Sequence, residues 1–314
     1  MKLIIINKLS PEKQKEFEAF IPGLSVEWYL SPEEALPYVH DADIIALWGF
    51  QNVEPLLQAA PQVKWIHSLS DGVERLLSPS MLNRSILLTN SRGVHDIAVA
   101  EHTIALLLAL TRSIPTAIRQ QEQHIWKRPR AFLLHGKTIA IIGYGNIGRA
   151  IAKRLQGFNC HIIAVKNHHT KEDGVNEIYT TNEINQVLPK ADVTIAALPS
   201  TPETDQFFNS EKFNLMKENS YFINIARASI VNEKDLLAAL TSGHLSGAGL
   251  DVFNKEPLPY EHPFWAMKQV IITPHVASWT PDTWQRLLEL LKDNLKAFYE
   301  SKPLKNIVDK GKGY

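Results

Sequence analysis

Apolar and polar positions alternate along the chain in two series. In the first third, short apolar runs predict strands at Lys2–Asn7, Ser25–Tyr29, Asp43–Leu47, Val63–Ser68 and Ile86–Asn90. Amphipathic stretches between them predict helices at Pro11–Phe20, Pro32–Tyr38, Val53–Ala60 and Val73–Leu77. Such alternation builds βαβ units and a mainly parallel sheet. From Asp96 to about Ile118 the pattern becomes one long helix. Its segment Ile104–Leu110 is apolar on every side, which predicts burial all round, between domains or between subunits. Pro115 is expected to kink or end it. A polar, basic stretch, Arg119–Arg130, leads into the second series, with strands at Thr138–Ile142, His161–Val165, Val193–Leu198, Tyr221–Ile225, Ala248–Val252 and Val270–Thr273. Helices fall between them, including Ile147–Leu155 and Asn232–Ser242; the latter carries Glu233 and Asp235 in its first turn, where the helix dipole favours acids. A last helix, with Thr280 as cap and Pro281 in first position, is expected to run to about Glu300 and return to the first domain. The prediction is an α/β chain of two doubly wound, parallel-sheet (Rossmann-like) domains. The first takes residues 1–96 and 285–314 from both chain ends, and the second takes residues 97–284.

Composition narrows the function classes. The 314 residues are 45% hydrophobic and 21% charged, a globular balance, and are too many for a small stapled module. Lys+Arg and Asp+Glu number 33 each, so no net charge argues for a nucleic-acid or anionic-membrane partner. Cys160, the single cysteine, allows no internal disulfide and no cysteine zinc cluster, which points to a reducing compartment. The apolar run Leu3–Ile6 is too short for a signal peptide, and Ile104–Leu110 is far short of the ~20 residues that span a bilayer. A cytoplasmic protein with no membrane partner is expected.

The chemistry begins at Gly143-Tyr144-Gly145-Asn146-Ile147-Gly148. A GxGxxG alone is weak, but this one leaves a buried-looking strand and opens a helix. Gly143 allows the tight turn, Gly145 lets a pyrophosphate approach the backbone, and Gly148 permits close helix–strand packing. The helix N-terminus then offers N–H groups and partial positive charge to phosphates. A dinucleotide site is predicted. The next strand ends at Lys166, eighteen positions after Gly148, where NAD-preferring sites carry an acid for the ribose hydroxyls. Lys166-Asn167-His168 stands there instead, which suits the 2′-phosphate of NADP(H); the alternative is a solvated strand-end lysine. NADP(H) is favoured over NAD(H).

Three further strands end in segments that a parallel sheet would gather at its carboxyl edge: Asn224-Ile225-Ala226-Arg227-Ala228, Leu250-Asp251-Val252-Phe253-Asn254-Lys255-Glu256-Pro257 and Thr273-Pro274-His275-Val276-Ala277-Ser278. Singly, Arg227 reads as a surface salt bridge, Glu256 as a loop acid and His275 as a satisfied core histidine. Together, beside the glycine loop, they form a candidate catalytic set.

With Leu198-Pro199-Ser200-Thr201-Pro202-Glu203-Thr204, Trp65-Ile66-His67-Ser68-Leu69-Ser70-Asp71-Gly72-Val73 and Val99-Ala100-Glu101-His102, these segments resemble the D-isomer-specific 2-hydroxyacid dehydrogenase family over nearly the whole chain. The Leu250–Trp265 and Ile272–Ser278 runs look most like its glyoxylate/hydroxypyruvate reductase branch. The resemblance implies reduction of a small 2-oxoacid, a two-piece catalytic domain, an inserted dinucleotide domain and a homodimer formed through it. It implies Arg227, Glu256 and His275 as the catalytic trio, with His275 as general acid and Glu256 stabilising the imidazolium. It places Ser70, Asp71, Gly72 and Val73 at the substrate carboxylate, together with Arg227 and His275. It extends the cofactor site to Leu198, Pro199, Ser200, Thr204, Ala226, Arg227, Asp251 and His275, with Asp251 at the nicotinamide amide. At Ala228, where glycine is common, the added methyl group is expected to be tolerated; the alternative is a tighter pocket. Glu256, where formate dehydrogenases of the same superfamily carry Gln, favours a reaction that delivers a proton. Alternatives on the same fold are a dinucleotide-sensing corepressor and a 3-phosphoglycerate dehydrogenase, the latter needing extra cations.

Other residues carry less. His168-His169 lacks a spaced partner, so no metal is expected. His67, His95, His102 and His262 show no pairing in the sequence. Trp48, Phe50 and Trp279 are candidates either for pocket walls or for packing.

Overall fold

The computed structural model describes every residue except Lys8, Ala19, Ile21, Pro22 and Tyr314, and the side chain of Glu16. The chain divides into two compact units, Met1–His95 with Thr280–Tyr314, and Asp96–Trp279. These boundaries lie at 95/96 and 279/280, against the expected 96/97 and 284/285.

The first unit carries β1 (Lys2–Ile6), β2 (Ser25–Tyr29), β3 (Ile44–Leu47), β4 (Trp65–Ser68) and β5 (Leu87–Thr89), all parallel in the order β2-β1-β3-β4-β5. Both faces of this sheet are covered, which is why β1 reads as a continuous apolar run. Leu3 and Ile5 enter one core with Leu288, Leu291 and Leu295 of the last helix, and Ile4 and Ile6 enter the other. The two chain ends also meet at the sheet edge, where Thr89 bridges Ile307 antiparallel and Val308 N–H donates to Leu88 O at 2.9 Å.

The second unit carries β6 (Thr138–Ile142), β7 (His161–Lys166), β8 (Glu177–Thr180), β9 (Val193–Ala196), β10 (Ser220–Asn224), β11 (Leu245–Leu250) and β12 (Val270–Ile272), parallel throughout in the order β12-β11-β10-β9-β6-β7-β8. The winding reverses between β6 and β9, and the crevice beyond the carboxyl ends of such strands is where open α/β sheets bind ligands.

Several local expectations are corrected. The helix Pro11–Phe20 spans Pro11–Glu18, and Ala19 lies outside the described residues. Val73–Leu77 makes only a turn; the following helix, Pro79–Asn83, starts at a proline and is capped by the Ser78 hydroxyl, a proline being suited to the first helical position. The long apolar helix covers Asp96–Thr111, and Pro115 sits in the first turn of a second helix, Ile114–Glu122, bent 64° from the first. Within the single chain the first of these helices turns one side into the core. Leu106, Leu107 and Leu110 pack into the core, while Ile97 and Ala105 are exposed. Its close approach to the sheet depends on glycines in β11: a Cβ on Gly249 would meet Leu106 Cβ at 3.2 Å, and one on Gly247 would meet Leu110 Cδ2 at 3.4 Å. The last helix begins at Thr283, not Pro281, because Thr280 and Pro281 form a preceding turn in which Thr283 N–H donates to Thr280 O. β8 was not expected; Glu-Ile-Tyr-Thr at a sheet edge is only half-buried and lacks an apolar run. Among the described residues no single helix is long and apolar enough to cross a membrane.

Candidate active site

At the switch point the glycine loop is built by close packing. Gly143 has φ +100°, and a Cβ there would lie 2.4 Å from the Ala197 carbonyl at the end of β9. A Cβ on Gly148 would lie 2.5 Å from Gly143 O, so helix Asn146–Leu155 sits directly on the turn. Gly145 differs, because a Cβ there would meet nothing within 4 Å. Its backbone faces open space at the N-terminus of a ten-residue helix that has no side-chain cap. That is the geometry a phosphate needs. The adjoining loop after β9 is fixed by its own hydroxyls. Thr204 Oγ1 accepts from Thr201 N–H at 2.8 Å and donates to Pro199 O at 2.7 Å, and Ser200 and Ser229 hydroxyls pair at 2.8 Å. Thr204 therefore shapes this loop, and Leu198 is buried beside the turn.

Farther along the same edge, after β10, β11 and β12, stand Arg227, Glu256 and His275. His275 Nδ1 lies 2.8 Å from Glu256 Oε2, and Glu256 Oε1 accepts from Phe253 N–H at 2.9 Å. His275 Nε2 has no hydrogen-bond partner among the described residues, and the side chain is 47% exposed. Burial opposes ionisation of Glu256, but the His275 and Phe253 hydrogen bonds, with the charges of His275 and Arg227, hold its carboxyl below the ordinary range. Arg227 Nη1 donates to Ala226 O at 2.9 Å, and Asn224 Nδ2 donates to Arg227 O at 3.1 Å.

His275 takes φ +53°, a left-handed conformation that costs a non-glycine residue about 1–3 kcal/mol. Asp251 holds it there. Its carbonyl accepts from His275 N–H at 2.9 Å, and its fully buried carboxylate accepts from Val276 N–H and Ala277 N–H, each at 3.0 Å, and from the Thr273 hydroxyl at 2.6 Å. His102 Nε2 reaches Thr273 Oγ1 at 3.0 Å and Asp251 Oδ1 at 3.6 Å. Asp251, expected at the nicotinamide amide, is thus first a clamp on the histidine turn.

At the other end of the edge, Lys166 closes β7. It is not a solvated lysine: its ammonium pairs with Glu172 and donates to Thr170 Oγ1 at 2.7 Å. Glu172 also takes a fork from Arg149, at 2.9 Å from Nε and 2.7 Å from Nη2. Asn167 Oδ1 accepts from the Thr181 hydroxyl at 3.2 Å, and His168 is exposed.

In the first unit, the Ser70–Val73 loop turns its carbonyls inward. Ser70 O accepts from Ser91 N–H at 3.1 Å, Asp71 O from Asn90 Nδ2 at 2.8 Å, and Gly72 O from the Ser68 hydroxyl at 3.0 Å. The N–H groups of Gly72 and Val73 have no acceptor among the described residues. Asp71 Oδ1 lies 4.0 Å from His95 Nε2. His67 is a satisfied core histidine, bonded to Thr89 and Ser91 hydroxyls, and burial pushes its pKa down to about 3. Trp48 stacks on Phe50 and meets Trp284 edge-on, while Trp279 is largely exposed.

Comparison with known proteins identifies the family. Residues 104–277 match the model of the D-isomer specific 2-hydroxyacid dehydrogenase NAD binding domain. The chain belongs to this family. It is an NAD(P)-dependent oxidoreductase of the glyoxylate/hydroxypyruvate reductase branch. It is 35% identical to a glyoxylate reductase of Thermofilum pendens over 91% of this chain and 87% of that one. It is 32% identical to a glyoxylate reductase of Pyrococcus furiosus over 98% and 95%. The NADPH-dependent glyoxylate/hydroxypyruvate reductase of Sinorhizobium meliloti, solved with NADP and sulfate, superposes with a TM-score of 0.88 at 27% identity over 100% and 99% of the two chains.

The dehydrogenase has residues that fit a dinucleotide: the open backbone at Gly145, the uncapped helix behind it, and cations at the end of β7. Sequence reasoning missed three of its features. Glu172 follows Lys166 by an irregular spacing with no period to betray it. Arg149 lay within the recognised helix but had no visible partner. The pairing of His102 with Thr273 joins residues 171 positions apart.

Proposed function

We propose that the dehydrogenase reduces a small 2-oxoacid of the glyoxylate or hydroxypyruvate type to the D-2-hydroxyacid, with His275 as general acid and NADP(H) favoured over NAD(H). The observation that carries this reading is the His275–Glu256 pair, which leaves Nε2 unpartnered on the carboxyl edge that also holds Arg227. When bound, the nicotinamide supplies hydride to C2 of the oxoacid. Negative charge then grows on the carbonyl oxygen, and the Nε2–H of His275 donates to it and gives up its proton. Glu256, itself fixed by Phe253 N–H, keeps Nδ1 protonated and stabilises the imidazolium. Arg227 grips the substrate carboxylate through its planar fork. The Ser70–Val73 loop serves the same carboxylate, a role that rests on the family resemblance and on the unpaired N–H groups of Gly72 and Val73. Gly143–Gly148 and Leu198–Ser200 serve the phosphates and nicotinamide ribose, with Ala226 beside them, and Lys166 serves the adenosine end. The unit Asp96–Trp279 is accordingly the dinucleotide domain. It also pairs two copies into a homodimer, supported by the exposed Ile97, Ile114 and Ile118 on its two successive helices; light scattering of a monomer at micromolar concentration would oppose this.

The substrate assignment is tested by assaying glyoxylate, hydroxypyruvate, pyruvate and phenylpyruvate with NADPH and with NADH. The highest kcat/KM is expected for the first two with NADPH. Turnover of none of the four would overturn the reading.

A further inference from the structure

Three charged side chains meet at the adenosine end of the sheet edge, and their arithmetic is unusual for a site meant to attract a phosphate. Arg149 and Lys166 supply two permanent positive charges, yet both are engaged by one carboxylate, that of Glu172. Glu172 and Lys166 are well covered, with 14% and 15% of their side chains exposed, while Arg149 is 47% exposed. Arg149 grips Glu172 through two parallel N–H bonds, the geometry in which a guanidinium also grips a phosphate. A built anion site is therefore already filled by the protein's own anion. The three side chains sit on different kinds of backbone: Lys166 ends a strand paired on both sides and Arg149 lies on a packed helix, whereas residues 167–174, which carry Glu172, have no helix or strand.

We propose that Glu172 limits the preference of this site for NADP(H) over NAD(H), acting as an internal anion that competes with the ribose 2′-phosphate for Arg149 and Lys166. This inference rests on the dinucleotide reading of the Asp96–Trp279 unit. Binding NADP(H) requires the Glu172 segment to release at least one of the two cations. NAD(H) makes no such demand, and its 2′-hydroxyl is a donor that a carboxylate accepts. One carboxylate thus penalises the phosphate and suits the hydroxyl. Lys166 alone, read from the sequence, overstates the attraction because its partner is invisible there.

The test is calorimetric titration of 2′,5′-ADP, 5′-AMP, NADPH and NADH into wild type, E172Q and E172S, with a thermal melt of each protein. Both variants should bind 2′,5′-ADP and NADPH about ten- to hundred-fold more tightly than wild type, the range of one charge-assisted hydrogen bond. Neither should gain affinity for 5′-AMP or NADH. In the K166M/E172Q double variant most of the gain should vanish, since the liberated cation is what the phosphate uses. Unchanged affinity for 2′,5′-ADP in both folded single variants would overturn the role of Glu172. A wild type that prefers NADH, with the gain still present in E172Q, would correct the proposed cofactor preference and support Glu172 as the competing anion. Failure of every protein to bind any of the four would overturn the dinucleotide reading, and this inference with it.

Discussion

Glu256 and Glu172 stand toward opposite ends of one sheet edge, after β11 and after β7, and each holds a cation through short contacts. Their partners differ in kind. Glu256 faces an imidazole, a ring that can pass on a proton, whereas Glu172 faces a guanidinium and an ammonium. Their anchoring differs as well. Glu256 is fixed by a backbone amide, and the turn carrying its histidine is clamped by buried Asp251. Glu172 rides on an irregular segment. On the proposed reading, the first couple moves a proton without moving itself, and the second exchanges one anion for another. The same ion-pair chemistry does different work depending on which partner can pass on a proton and which side is anchored.

The largest way to break the comparison is at the histidine. H275A should lower kcat by about 10²–10⁴, the usual contribution of a positioned general acid, with NADPH affinity kept. Near-normal turnover would remove the couple from the chemistry and leave both ends of the edge as static ion pairs. A smaller effect is expected from E256Q, which keeps the shape but removes the anion. Its pH–kcat profile should lose activity at lower pH on the basic side than wild type, because the imidazolium has lost its stabilising partner. Superimposable profiles would show that Glu256 only positions the ring.

The smallest effect concerns stability in acid. Hydrogen bonds from Arg149 and Lys166 hold the Glu172 carboxyl down to about 2, so this cluster's contribution is complete above the ordinary value of 4.5 and is lost as pH falls toward 2. In the five-stranded unit, burial holds His67 at about 3 against an ordinary 6.5. The unfolded state therefore takes up that proton first, and stability there declines from about pH 6.5 downward. Hydrogen-exchange protection factors should fall for β4 between pH 7 and 5 while those of β6 and β9 hold. Equal loss in all three strands would contradict this ordering.

Much of this was legible in the sequence for a local reason. The strand, glycine loop and helix around Gly143–Gly148 are contiguous, so spacing alone predicts their packing. Arg227, Glu256 and His275 are each ambiguous singly and became legible as a set, because parallel strands bring their carboxyl ends to one edge. What stayed hidden depends on backbone shape rather than pattern. The left-handed turn at His275 is not signalled by a glycine, so the clamp from Asp251 could not be read. The pairing of Lys166 with Glu172 depends on how residues 167–174 fold back, and β8 is an edge strand too polar to announce itself.

The central claim, hydride delivery to C2 of a 2-oxoacid with proton delivery from the protein, has one direct measurement. Wild-type enzyme would be supplied with NADPH deuterated at both nicotinamide C4 positions and with hydroxypyruvate, and the product analysed by NMR and chiral chromatography. The account predicts a D-2-hydroxyacid carrying one deuterium at C2. An L product, a product with hydrogen at C2, or no product would contradict it.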